Sequence, residues 1–221
     1  MTTHHSWLFP VLLLPMVHCL LEWPIYAAHG PDSDLRPRQQ RREYVQGDVT
    51  YSTLIRAAGS FYIDVMVGSP PQSISVSLGT GSSDLYFNSA SSASCNGSSS
   101  PSPCRGGTFN SSASTSYQEV NASPAFYIVY GDQSGAIGPY GTDSIQFGQT
   151  VVNDVQFGIG EQLEIPGQYT ESTMGLGYPE EEAIYTASGT APLSPYKNLP
   201  GVMVREGMAA SRLYSIALGR R

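Results

Sequence analysis

The clearest pattern in the chain is a two-residue alternation. Phe61, Ile63, Val65 and Val67 alternate with Tyr62, Asp64 and Met66. After Gly68-Ser69-Pro70-Pro71 the alternation resumes, with Ile74, Val76 and Leu78 against Ser73, Ser75 and Ser77. Successive strand side chains point to opposite faces, so two such runs around a Gly-Pro turn predict a β-hairpin with one dry face. A further strand is predicted at residues 84–87, reached through the turn Gly79-Thr80-Gly81-Ser82-Ser83. Residues 126–130, 144–147 and 151–157 read as three more strands, and Gly131-Asp132-Gln133-Ser134-Gly135 is a tight-turn signal. Near the end, Asn198 precedes a short helix at residues 199–206 that Gly207 would stop, and residues 213–218 read as a last strand. Short apolar runs punctuated by Gly, Pro and Ser predict an all-β protein.

The amino terminus departs from this pattern. Residues 7–21 (WLFPVLLLPMVHCLL) form an apolar block of signal-peptide length, short and proline-broken for a membrane span. Tyr26-Ala27-Ala28 offers small residues for cleavage, although the stretch before the block carries His4 and His5 and no Lys or Arg. Residues 1–28 therefore read as a signal peptide, with a buried N-terminal strand as the alternative. Residues 29–42 (HGPDSDLRPRQQRR) are polar and end in Arg41-Arg42. They read as a short pro-segment with a dibasic processing site, or as an ordinary charged linker. This makes secretion the expected destination.

Composition narrows the partners. The 221 residues are 40% hydrophobic and 13% charged, with a net charge of −7. Residues 1–42 hold four of the 11 Lys and Arg and three of the 18 Asp and Glu, so their removal leaves −8. Such a chain lacks the basic surface that nucleic acid requires. No membrane span or lipid-anchor signal is read at the Gly219-Arg220-Arg221 end. Cys19 falls in the leader, and Cys95 and Cys104 enclose eight residues of a Ser-rich stretch, residues 89–116. In an oxidising compartment this pair predicts a disulfide, because a zinc site would need two more ligands nearby. The stretch itself reads as an exposed loop too polar to pack a core. Asn96, Asn110 and Asn121 match the N-glycosylation pattern, the last followed by Pro124. No cofactor is expected.

Five segments in order resemble the pepsin-like aspartic endopeptidases, especially their secreted fungal members. YIDVMVGSPPQ, residues 62–72, is similar to the family's first hairpin with its Gly-Thr-Pro-Pro-Gln turn. Gly79-Thr80-Gly81-Ser82-Ser83-Asp84-Leu85 resembles the Asp-Thr-Gly-Ser-Ser motif, and Tyr130-Gly131-Asp132 stands where the family's flap has Tyr-Gly. Met174-Gly175-Leu176-Gly177-Tyr178-Pro179 resembles the segment that supports the active-site loop, with Ser172 and Thr173 replacing the Gly-apolar pair often found before it. Asn198-Leu199-Pro200 through Tyr214-Ser215 is similar to the helix-strand exit from the first lobe. The resemblance implies a single N-terminal lobe of the bilobal acid-protease fold over residues 43–218, with 219–221 as the start of a linker and the second lobe absent from this sequence. It also implies a peptide or protein substrate.

The resemblance carries a contradiction. Family members hydrolyse peptide bonds with two carboxylates, one per lobe, which share a proton and hold a water between them. Each sits in an Asp-Thr/Ser-Gly turn, whose Gly is expected to allow close backbone approach and whose hydroxyl braces the loop. Here the first carboxylate position is Gly79, and no Asp-Thr-Gly or Asp-Ser-Gly occurs in the 221 residues. Asp84 is expected to point away from the cleft, Asp132 to lie above a substrate rather than beneath it, and Asp143 to be a strand-end residue. Thr80 and Ser82 would brace the loop, and Tyr130 would close over a substrate. A symmetric homodimer of lobes would place two glycines at its centre. The sequence therefore predicts a family member without proteolytic activity. The alternatives are a non-catalytic peptide-binding lobe and a truncated gene product without independent function.

Overall fold

The structure, a computed structural model, describes residues 26–27, 61–97, 102–122, 125–186, 196–209, 211–212 and 214. The pro-segment, nearly all of the leader and the last predicted strand lie outside the described residues, apart from the backbone of Tyr26 and Ala27 and from Tyr214. The strands are β1 (Tyr26–Ala27), β2 (Phe61–Val67), β3 (Gln72–Gly79), β4 (Leu85–Asn88), β5 (Cys104–Arg105), β6 (Gln118–Val120) and β7 (Phe126–Val129). They continue with β8 (Gly135–Gly138), β9 (Tyr140–Phe147), β10 (Thr150–Gly160), β11 (Gln162–Glu164), β12 (Thr170–Glu171) and β13 (Thr173–Gly175). The helices are a single turn, α1 (Ala183–Thr186), and α2 (Leu199–Arg205). The architecture is all-β. Among the described residues no helix is long and apolar enough to cross a membrane.

Eight strands share one sheet in the order β1-β2-β3-β13-β4-β10-β9-β6. An additional pairing of Met66 with Gln146 and of Val67 with Ile145 joins β2 to β9 and closes six of these strands on themselves. The predicted hairpin is β2–β3, in antiparallel register from Tyr62↔Ser77 to Val67↔Gln72. Its turn uses Gly68 at φ +77°, and a Cβ there would come within 2.4 Å of Ser114 Oγ. Ile63, Val65, Val67, Ile74 and Val76 point into the main core with Phe87, Ile145, Phe157 and Leu199. In β10 the alternation breaks at a bulge between Val152 and Val155, where Asp154 has φ 52°. The bulge lets Val152, Val155, Phe157 and Ile159 all face inward despite their uneven spacing. The β1 pairing sets Tyr26 opposite Tyr62 and Ala27 opposite Phe61, at residues the sequence reading put in the leader.

The Ser-rich stretch is not the wholly exposed loop expected from its composition. Phe109 is fully buried and meets Phe87 at 5.9 Å and Phe157 edge-on at 5.6 Å. Asp143 lies inside β9 rather than at a strand end, and it is buried. It accepts hydrogen bonds from Ser114 Oγ (2.7 Å), Ser116 Oγ (2.6 Å) and the Ser144 N–H (2.8 Å). A polar loop thus packs through one aromatic anchor and one buried carboxylate that satisfies its hydroxyls. Cys95 and Cys104 are disulfide-bonded with Cα atoms 5.3 Å apart, as the spacing predicted.

The predicted helix forms as α2. Asn198 is its N-cap, its side chain accepting from the Gly201 N–H at 3.3 Å, and Gly207 follows at φ +71°. Its Leu199, Val202 and Met203 complete the main core. A smaller core, built on Tyr86, Phe126, Ala136, Tyr140, Ala183 and Ile184, lies at the root of the β7–β8 hairpin.

Candidate active-site cleft

β3 and β4 are consecutive in sequence but not adjacent in the sheet. β13 inserts between them, parallel to β3 (Met174↔Leu78) and antiparallel to β4 (Met174↔Leu85). Residues 80–84 therefore pass over the end of β13, and its continuation straps them down. The Leu176 N–H donates to the Gly79 carbonyl, the Gly177 N–H to Ser82 O and the Gly175 N–H to Asp84 O, each at 2.8 Å. Ser83, which is buried, adds a hydroxyl bond to the Tyr178 carbonyl. The close backbone approach expected of Gly81 belongs to these straps instead. A Cβ on Gly175 would sit 2.6 Å from Ser82 O, and one on Gly177 would sit 2.9 Å from it, whereas one on Gly81 would meet nothing within 4 Å. Bracing by a loop hydroxyl comes from Ser83; Thr80 is exposed and Ser82 half-buried.

Gly79 is the last residue of β3. Its backbone is outside the left-handed region, and a Cβ there would meet Ser82 Oγ at 3.3 Å, Thr173 Cγ2 at 3.7 Å and Met174 O at 3.9 Å. Space for a side chain therefore exists, and the loop around it is intact. Ser172 is buried and receives the Asn88 N–H on its Oγ at 3.0 Å, and Thr173 lies opposite Ser77.

Above the loop stands the β7–β8 hairpin. Its turn is closed by Tyr130 N–H to Ser134 O (2.8 Å) and Gln133 N–H to Tyr130 O (2.9 Å), with Gln133 at φ 69°. The left-handed position is therefore Gln133, and Gly131 faces open space. Tyr130 folds back under the hairpin. Its hydroxyl is buried without a hydrogen bond of normal geometry, toward the Ser82 and Thr173 side chains that flank position 79. Burial, with Tyr86 as neighbour, pushes its ionisation upward. Asp132 is exposed at the tip, where its Oδ1 accepts from the Ser134 N–H (3.0 Å) and hydroxyl (2.6 Å), which lower its pKa.

Between hairpin and loop lies a cavity of about 310 Å³, lined by Gly81, Ser82 and Asp84 below, Tyr127 to Tyr130 above, and Glu181 and Ala183 at one side. Tyr127 and Val129 are 50% and 52% exposed. β7 is an edge strand, in the order β11-β8-β7, so its outer backbone groups have no strand partner among the described residues.

Residues 60–221 match the family model described as eukaryotic aspartyl protease. The chain belongs to this family. It is 42% identical over 159 residues to a "Probable aspartic-type endopeptidase OPSB" of Arthroderma benhamiae, a match covering 72% of this chain and 30% of that relative. Barrierpepsin of Saccharomyces cerevisiae is 28% identical over 169 residues, covering 69% of this chain and 28% of its own length. Syncephapepsin of Syncephalastrum racemosum is 29% identical over 219 residues, covering 91% and 50%. The chain thus spans about 30% of the OPSB relative, as one lobe of a two-lobed aspartyl protease does.

In this aspartyl-protease lobe two buried acids lie beneath the cleft: Asp84 of the loop motif, and Glu182, which no motif revealed. Asp84 is fully buried, accepting from the Ala183 N–H on Oδ2 (2.7 Å) and from the Tyr196 hydroxyl on Oδ1 (2.8 Å). Its carboxyl is engaged with α1 and the approach to α2, and burial raises its pKa. Glu182 is also fully buried, and among the described residues neither of its carboxylate oxygens has a hydrogen bond of normal geometry, the Asn198 backbone N–H being near it. Burial, then the charges of Asp84 and Glu180, push it up to about 9. The only sequence cue for Glu182 was its place in a run of three glutamates, which marks solvent-facing charge as readily as a buried acid.

Proposed function

We propose that this lobe is a hydrolytically inactive aspartic endopeptidase homologue that holds an extended peptide without cleaving it. The observation that carries the reading is Gly79: a glycine has no group to bind or activate water, and it stands at the head of a loop whose straps, flanking hydroxyls and overlying tyrosine all remain. Neither carboxylate that the motifs offer substitutes for it. Asp84 is held by Ala183 and Tyr196, and Asp132 is committed to Ser134 at the exposed tip. Loss of one acid-base partner removes ~10²–10⁴ in rate.

Peptide holding is favoured by the edge strand β7 beside an open cleft, since an extended peptide can add its backbone hydrogen bonds to such an edge while Tyr127, Val129 and Tyr130 receive side chains. Secretion is part of the same reading, supported by the apolar leader, the disulfide and the exposure of Asn96, Asn110 and Asn121, the three glycan acceptors.

The test has two arms. The purified chain is incubated with denatured globin at acidic pH, with and without pepstatin; no pepstatin-sensitive cleavage is expected, and its appearance overturns the assignment of inactivity. Calorimetric titration with extended peptides and with pepstatin is expected to give heat and a raised melting temperature. Absence of both removes the peptide-holding role.

A further inference from the structure

Glu182 and Asp84 have an arrangement that neither the motif nor the cleft explains. Glu182 ends the 3-10 turn Pro179–Glu181, and the next residue, Ala183, begins α1 with its N–H held by Asp84. Asp84 in turn ends the active-site loop, and its carbonyl receives the Gly175 N–H. Tyr196 donates to Asp84 and packs edge-on against Tyr140 (5.6 Å), whose ring meets Phe126 of β7 at 5.4 Å. The two acids therefore sit where the active-site loop, the hairpin root and the α1 segment meet. Glu181 and Ala183 of that segment form one side of the cleft.

A carboxylate in this position is unfavourable as an anion. Both Glu182 oxygens are buried without a hydrogen bond of normal geometry among the described residues, and so is the Tyr140 hydroxyl, which has the Ile184 backbone N–H beside it. The groups facing Glu182 are Asp84 from the loop, Glu180 from its own turn, Tyr140 from β9, Tyr196 and the Asn198 backbone N–H from the approach to α2, and Arg212 beyond α2. Two of these carry negative charge and one carries positive. Protonation removes the unpartnered anion and creates a donor toward Asp84 or Tyr140, whereas ionisation adds a second buried negative charge beside Asp84. A cation site does not account for the pair: among the described residues no set of three or more His, Cys, Asp or Glu gathers as a metal would require.

We propose that Glu182, together with Asp84, is a proton-operated latch beneath the cleft. With the proton in place, residues 179–186 are seated against the active-site loop and the side of the cleft is complete. When the proton leaves, Glu182 moves to water, the Ala183–Asp84 bond opens, and α1 withdraws from the hairpin root. The cleft is then assembled in acid and loosened toward neutral pH, whatever its occupant. Burial raises the proton affinity of both acids, and for Glu182 the charges of Asp84 and Glu180 act in the same direction.

The test is amide hydrogen exchange of residues 179–186 in the full chain, from about pH 4 to about pH 9 and corrected for the intrinsic rate. With one linked proton the opening constant is expected to rise ~tenfold per pH unit above its onset. Glu182→Gln, isosteric and uncharged, is expected to abolish that slope, and Glu181→Gln, its exposed neighbour, to keep it. Asp84→Asn removes the negative charge that faces the seated Glu182, and is expected to move the upper end of the rise, where the profile levels off, to lower pH. A flat profile in the parent chain, an unchanged slope in Glu182→Gln, or an unmoved upper end of the rise in Asp84→Asn overturns the latch. Should Glu182→Gln fail to fold, a carbon-detected NMR titration of Glu182 in the parent chain decides: a raised midpoint supports the latch, and one in the ordinary carboxylate range overturns it.

Discussion

Restoring a side chain at position 79 separates loss of chemistry from loss of structure. In Gly79→Asp the new Cβ would approach Ser82 Oγ at 3.3 Å, a rotatable hydroxyl, and its other neighbours lie at 3.7 and 3.9 Å, ordinary contact. The backbone is not left-handed, so replacing glycine there lowers the entropy of the unfolded chain and stabilises by ~0.4–1 kcal/mol. Partial desolvation of the carboxylate opposes this, and a hydrogen bond from Ser82 offsets it by ~1 kcal/mol. The net change is expected to be within ~1 kcal/mol of the parent chain. Gly175→Ala is the contrast: its Cβ would lie 2.6 Å from Ser82 O and from Ser83 C and 2.7 Å from Asp84 N, all backbone. Nothing there can rotate away, and a loss of ~3 kcal/mol or more is expected. Urea denaturation monitored by fluorescence measures both, as midpoint shifts at constant slope. If Gly79→Asp is as damaging as Gly175→Ala, position 79 has no room and the loop has been rebuilt around the glycine, which refutes the reasoning.

Three further outcomes are expected. Phe109→Ala should cost ~3–5 kcal/mol in the same assay, because it empties a fully buried aromatic site between Phe87 and Phe157, whereas a solvent-facing loop residue would cost almost nothing. Replacing Cys95 and Cys104 by Ser, which opens a loop of sequence separation 9, should cost ~2–3 kcal/mol, read as a lower melting temperature under non-reducing conditions. Thermal unfolding against pH should show a carboxyl contribution that is complete below the ordinary 4.5 of Glu182 and lost as pH rises toward about 9, because the folded chain holds that proton more tightly than the unfolded one. The slope is at most ~1.4 kcal/mol per pH unit for one proton. Asp132, lowered by Ser134, acts in the opposite sense, but it lies in solvent at the hairpin tip.

Local pattern carried the reading where local forces decide structure. The alternation through Val67 and from Ile74 marked β2 and β3, because a strand must sort its side chains to two faces whatever else surrounds it. Asn198 and Gly207 bracketed α2, because capping satisfies backbone groups within a few residues. β8 went unread, since Gly-Ala-Ile-Gly has almost no apolar periodicity, and its strand character comes from pairing with β7 and β11. The Ser-rich loop was misjudged because its composition averages out the single residue, Phe109, that anchors it.

By itself the sequence determined that the chain is all-β, that it carries segments resembling those of an aspartic protease in order, and that Gly79 stands where the resemblance puts the first acid. Only the tertiary structure decided that β13 separates the two strands flanking that glycine, so that Gly175 and Gly177, not Gly81, carry the close backbone contact. It also decided that Asp84 and Glu182, 98 residues apart, share one buried site while Glu181 beside them faces the cleft. The reason is physical. A missing side chain is legible one residue at a time, but the environment that sets an acid's proton affinity is built from the loop before β4, from β9, from α1 and from the approach to α2 together.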